Sequence, residues 1–152
     1  MRHLATTLLI LKLLGSIVPH ASNKQEDNSD SLAIFKQAEK ILQFGRRHTT
    51  KENVRSFAST ITQMYLRLPQ STENTFEHHE YIRNAAHELW LKPCGKQTAV
   101  ELSSVADHLV LLGYIEEAIT GYQTAIELSN TSFFIETVTK KLTKLQTETG
   151  QQ

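Results

Sequence analysis

Cysteine, proline and glycine are all scarce in this chain of 152 residues, and each scarcity removes a class of fold. A single cysteine, Cys94, rules out an intrachain disulfide framework. It falls in Lys92-Pro93-Cys94-Gly95, which reads as a loop with an idle thiol. Three prolines and six glycines are too few for the many tight turns of a β-sandwich or barrel, and alternating runs of β-branched residues are missing as well. Charge of one sign is also lacking. There are 16 basic and 16 acidic residues, and no stretch is basic enough to follow a phosphate backbone, which argues against nucleic acid. What remains is an apolar share of 39% beside 21% charged residues, too apolar for a disordered chain and enough for one compact core.

Residues 1–21 differ from the rest. Arg2 and His3 precede a mostly apolar run from Leu4 to Val18, and no acidic residue occurs before Glu26. A positive start and a short apolar centre have the form of a secretory signal peptide. Lys12 interrupts the run, and cleavage after Ala21 puts Pro19 where a small residue is preferred. The run falls short of the ~20 residues that span a bilayer. A mitochondrial presequence shares the lack of acid but carries more arginine, and a divergent first helix packed on the domain is the remaining rival. The expected location is the secretory lumen or the cell exterior, with mitochondrial and cytoplasmic alternatives. A membrane is met only through residues 1–21, if they stay uncleaved. Their removal takes Arg2 and Lys12 and leaves 14 basic against 16 acidic residues, a formal charge of −2. Residues 22–30, SNKQEDNSD, are polar without periodicity and read as a linker.

Beyond residue 30 the apolar spacing is helical. Leu32, Phe35, Ala38, Ile41 and Leu42 recur at three- and four-residue steps, with Gly45 as a stop signal. Thr49-x-x-Glu52 has the form of a capping box opening a second helix, which carries Val54, Phe57, Ala58, Ile61, Tyr65 and Leu68 up to Pro69. Residues 70–75 form a polar turn. A third helix carries Phe76, Ile82, Ala85, Ala86, Leu89 and Trp90 and stops before Pro93. A second capping box, Thr98-x-x-Glu101, opens a fourth with Leu102, Val105, Ala106, Leu109 and Leu112, closed by Gly113. A fifth runs from Ile115 to Leu128, and a sixth shows Phe134, Val138, Leu142 and Leu145 before a fraying tail, residues 148–152. Six helices on short connections predict antiparallel neighbours, hence stacked helical hairpins over residues 31–147.

The stretch VADHLVLLGYIEEAITGYQTAIEL, within residues 99–132, resembles a tetratricopeptide repeat (TPR). Leu102 and Leu109 stand where the first helix of that unit presents bulk, and Ala106 is the small residue at the helix crossing. Gly113 sits at the tight turn. Ala118, Tyr122 and Ala125 repeat the small-large-small spacing of the second helix, while Asn130 replaces the usual proline. Ser31, Phe35 and Ala38 echo the same spacing, and Val54, Phe57, Ala58 and Ile61 suit a first helix, but residues 51–98 are too many for one regular unit. The resemblance implies an all-α fold, a short α-solenoid of antiparallel hairpins whose last helix caps the array. The rival is a generic helical bundle with one accidental repeat.

That resemblance also implies a site: a concave groove lined by the first helix of each hairpin. Its polar side offers Arg55, Ser59, Thr62 and Gln63 in one hairpin and Ser103, Ser104 and Asp107, continued by Val110 and Leu111, in the clear repeat. Chaperone-binding members clamp a peptide's terminal carboxylate with basic residues and asparagine; Asp107 would repel one, which argues against that subclass.

Chemistry is sparse. Glu77-His78-His79-Glu80 with His87-Glu88 invites a metal, but Arg83 lies between His79 and His87 on that face, and Leu91 occupies the position where a zinc-protease helix needs histidine, so no metal is expected. Trp90 and Tyr81 read as core rather than pocket. No phosphate loop or nucleophile elbow is present. Asn130-Thr131-Ser132 is an N-glycosylation sequon, relevant to a secreted chain. The expectation is a protein-interaction module that binds a peptide or partner helix, with no enzymatic turnover, cofactor or small-molecule substrate. The alternative is a secreted or luminal effector or structural protein that works through its outer surface.

Overall fold

The computed structural model describes the backbone of residues 26–150 and the side chains of residues 31–150. The targeting segment read at residues 1–21 lies outside the described residues, as do residues 22–25 and 151–152. Among the described residues the protein is all-α, with six helices: α1 (Glu26–Arg47), α2 (Lys51–Leu66), α3 (Phe76–Leu91), α4 (Ala99–Leu112), α5 (Ile115–Leu128) and α6 (Ser132–Thr149). No helix among them is long and apolar enough to cross a membrane. They fall into two compact units that part between Cys94 and Gly95.

In the first unit α2 runs antiparallel to α1 and α3, while α1 and α3 lie side by side and parallel. The pairs Ser31–His78, Phe35–Tyr81 and Arg46–Glu88 advance together along both helices. The core is Ala38, Ile41 and Leu42 from α1, Val54, Phe57, Ala58, Ile61 and Met64 from α2, and Ile82, Ala85, Ala86, Leu89 and Trp90 from α3. The helical spacing of the sequence places nearly all of these inward, because apolar residues three and four apart share one helix face. Leu32 and Phe76 depart from that expectation: they are 39% and 57% exposed in the first turns or so of their helices.

Gly45 is not a stop. The helix continues through it to Arg47, and a Cβ at this position would lie 2.6 and 2.8 Å from the two terminal carbons of Leu89. The glycine is therefore a point of close approach between α1 and α3, not a helix breaker. Where α1 does end, Lys92 reaches back from the end of α3. Its Nζ donates to the carbonyls of Gly45 (3.1 Å), Arg46 (2.6 Å) and His48 (2.7 Å), oxygens that helix geometry leaves without partners. Arg55 of α2 treats α3 the same way, with Nη1 donating to Leu89 O at 2.5 Å and Nη2 to Lys92 O at 3.3 Å. Each positive charge also faces the negative end of a helix dipole.

The capping box read at Thr49 does not open α2. Thr50 is the N-cap of α2 and makes no side-chain capping bond. Likewise α1 begins at Glu26, inside the segment read as linker, and α6 continues to Thr149, into the segment read as tail. Charged and polar residues give these helix ends no apolar period, so their sequence carries little sign of where the helix stops.

In the second unit α4 and α5 form a hairpin, and α6 packs on α5. Val105, Ala106, Leu109 and Leu112 of α4, Ala118, Ile119, Tyr122 and Ala125 of α5, and Val138 and Leu145 of α6 are buried.

Gly45→Ala tests the close approach. Helix propensity favours alanine by about 1 kcal/mol, whereas overpacking a closed core costs about 1–3 kcal/mol, and Leu89 is fully buried. Urea unfolding should show a net loss for Gly45→Ala, and combining it with Leu89→Ala should cost clearly less than the two single losses together. Strict additivity would mean the methyl group never meets Leu89.

Candidate functional site

The second unit builds its site from the hairpin outward. Thr98 caps α4, its Oγ1 accepting from the Glu101 N–H at 3.2 Å, as the second capping box requires. Gly113 closes the helix in the left-handed region at φ 86°, ψ 12°. Its N–H donates to Val110 O at 3.0 Å and that of Tyr114 to Leu109 O at 2.9 Å, the paired closure that lets α5 begin two residues later. A Cβ on Gly121 would lie 3.1 Å from the Cβ of Ala106, so α4 and α5 touch where both side chains are smallest. Sequence spacing singles out Ala106 there and misses Gly121.

This tight hairpin leaves a cleft of about 260 Å³ beside α6, lined by Asp107 and Val110 of α4, Tyr122 of α5, and Lys141, Lys144, Leu145 and Glu148 of α6. Asp107 organises it. The Tyr122 hydroxyl donates to Asp107 Oδ1 at 2.5 Å, and Lys141 Nζ donates to Oδ1 and Oδ2 at 3.2 and 3.1 Å. Burial and the Asp107 bond push the Tyr122 phenol well above its usual range, so it remains a donor and is no acid or base near neutral pH. Lys144 and Glu148 lie 3.8 Å apart at the rim, both well exposed. The walls therefore pair each charge with its opposite, and the floor of Val110, the Tyr122 ring and Leu145 is apolar. Such a space can take up an apolar side chain flanked by polar backbone; it presents no paired nucleophile and base.

Of the residues expected to meet a partner, Asp107 and Val110 line this cleft, Ser104 is exposed on α4, and Leu111 is 49% exposed. Ser103 is corrected: it is buried at 5% exposure, turned into the unit. In the first unit Gln63 is exposed and Ser59 half-buried. Thr62 is also corrected. It is fully buried, its hydroxyl donating to Ala58 O at 2.8 Å and accepting from Trp90 Nε1 at 2.9 Å, so it satisfies the core tryptophan instead of facing a groove. Arg55 is committed to the end of α3, so reversing its charge would unpin a helix rather than probe a partner. The same holds for Asp107, bound as it is by Tyr122 and Lys141.

Sequence reasoning misses Lys141, Lys144 and Glu148. Their steps of three and four place them on one stripe of α6, but an amphipathic last helix reads equally as a solvated cap until its neighbour is known.

The histidines and carboxylates read together on α3 sit in different surroundings. His79 is 8% exposed, with Nε2 buried and unpaired; burial first, and the neighbouring His78 second, hold its pKa below the ordinary value of 6.5. The His78 ring packs on Phe35 with centroids 4.8 Å apart. Glu88 takes both bonds of the Arg46 fork at 2.7 Å, and Glu80 lies 3.7 Å from Arg83. Among the described residues no three His, Cys, Asp or Glu side chains converge on a metal-sized space. No family model, curated protein or solved structure matches the chain.

Two measurements probe these assignments. Tyr122→Phe, which removes a buried bond to a carboxylate, should cost about 1–2 kcal/mol, and Lys141→Met, whose pair is more than 40% exposed at Lys141, less than about 1 kcal/mol with a dependence on salt. The reverse ranking would make the ion pair, not the phenol, the anchor of Asp107. For His79, the folded state disfavours the proton that the unfolded state accepts near pH 6.5. Stability should thus be intact well above that value and fall as pH drops below 6.5 toward 5.5, by at most about 1.4 kcal/mol per pH unit. His79→Phe should flatten this slope; an unchanged slope would assign it to another group.

Proposed function

We propose that the protein is an interaction module whose second unit holds a peptide or helix of a partner protein, with an apolar side chain of that partner seated in the cleft between α4 and α6. The observation that carries this reading is the cleft itself: an apolar floor framed by two opposed charge pairs, a surface chemistry suited to polypeptide. No turnover, cofactor or small-molecule substrate belongs to this reading. The tetratricopeptide resemblance supports it. Ala106, Leu109, Ala118, Tyr122 and Ala125, which carry that resemblance, are buried, Gly113 makes the left-handed turn, and Leu102 is half-buried. On this reading α4 and α6 stand as successive first helices, and their cleft is a length of the groove in which such arrays bind ligands.

We further infer, from the basic start and apolar run of residues 1–21, that the chain enters the secretory pathway. One observation favours the second reading, a secreted or luminal effector or structural protein acting through its outer surface: Phe133 and Leu128 are 79% and 55% exposed at the α5–α6 connection.

Selection of displayed peptides on the full chain discriminates between the two. Val110→Arg, which fills the cleft, and Lys144→Glu should each weaken the selected peptides by tenfold or more, about 1.4 kcal/mol, with far-UV circular dichroism unchanged. Lys140→Glu, on the solvent side of α6, should not. Peptides insensitive to both cleft variants but lost on Phe133→Ser would transfer the function to the outer surface.

A further inference from the structure

The connection between α5 and α6 holds a motif that peptide binding does not use. Asn130-Thr131-Ser132 fits N-x-S/T, and no other asparagine in the chain begins such a triplet. Oligosaccharyl transfer needs a side-chain amide on accessible, non-helical backbone with a hydroxyl two residues on. Asn130 is exposed in the three-residue link Ser129–Thr131. Its neighbours are extended, Ser129 at φ −86°, ψ 143° and Thr131 at φ −99°, ψ 114°. Ser132 is exposed at the first turn of α6. A second, independent observation concerns what surrounds the site. Leu128 and Phe133 bracket it, and Phe133 is the most exposed large hydrophobic residue among the described residues. Two apolar side chains left in water on either side of one sequon call for a cover, and a glycan attached between them would be tethered at the right place.

We propose that Asn130 is N-glycosylated and that the first sugars of the glycan lie over Phe133 and Leu128, their C–H faces replacing water on the ring and the aliphatic chain. This rests on the secretory reading of residues 1–21, since the donor is found in the lumen. The Asn130 amide nitrogen attacks the anomeric carbon of a lipid-diphosphate-linked oligosaccharide. The N–C bond forms, the C–O bond to the diphosphate breaks, the lipid diphosphate leaves, and the amide proton passes to the transferase.

The test expresses the full chain with a C-terminal tag in animal cells and recovers it from both medium and cytosol. The exported chain should begin after residue 21, drop in mass on treatment with an amidase that cleaves the glycan–asparagine bond, and then carry aspartate at position 130. Asn130→Gln and Ser132→Ala should both run at the lower mass untreated, whereas Ser132→Thr should keep the shift. Removing the glycan should raise the binding of an apolar-surface dye, and Phe133→Ser should abolish that rise; no rise overturns the cover. Export of a processed chain that the amidase leaves unchanged overturns the glycan while the secretory reading stands. Recovery only from the cytosol, with Met1 intact or merely trimmed, overturns both.

Discussion

The closeness of α1 to α3 governs the first unit, and it depends on one residue having no side chain. At Gly45 a methyl group would press against Leu89, so its absence lets the two helices run side by side, parallel and near their C-terminal ends. Two longer-range contacts depend on that approach. With α3 this near, Lys92 can reach three carbonyls at the end of α1, and Arg46 can fork onto Glu88. Parallel neighbours place their negative dipole ends together, an unfavourable juxtaposition. Lys92 and Arg55 put a positive charge on each end, and the hydrogen bonds that deliver the charge also satisfy carbonyls no turn could reach. A glycine of this kind weakens the isolated helix, yet the packing it permits exceeds that loss.

The second unit solves the same problem with antiparallel helices. There the small pair is Gly121 against Ala106, dipoles oppose one another, and no lysine clasp is needed. A reversal within two residues, closed by Gly113, replaces it. The two units thus reach close helix contact by different means, one through charged caps supplied from a distance and one through local backbone geometry.

This contrast explains how far the sequence can be read. The bounds of α5, from Ile115 to Leu128, and the cap of α4 at Thr98 are local properties, and both are legible. Gly45 follows the same local rules and misleads, because the partner that overrides them, Leu89, lies over 40 residues away in sequence. The candidate site divides along the same line. Asp107 and Val110 are found from their place on one helix. Thr62 and Ser103 are placed outward by the polarity of their hydroxyls, yet each is buried; for Thr62 the compensating partner is Trp90, a contact between helices that spacing along one helix does not reveal. Lys141, Lys144 and Glu148 carry no individual signal at all until α6 is known to lie beside Asp107.

The Thr62–Trp90 bond has an optical side. Trp90 is the single tryptophan of the chain, 4% exposed and with its indole N–H tied to a threonine hydroxyl. Its emission therefore arises from a buried, hydrogen-bonded indole in the first unit, while the second unit holds only the tyrosines Tyr114 and Tyr122. Indole fluorescence thus watches the three-helix unit alone, and far-UV dichroism watches both. Superimposable melting curves from the two signals would mean that the units share one transition; separated curves would give each unit a melting temperature of its own.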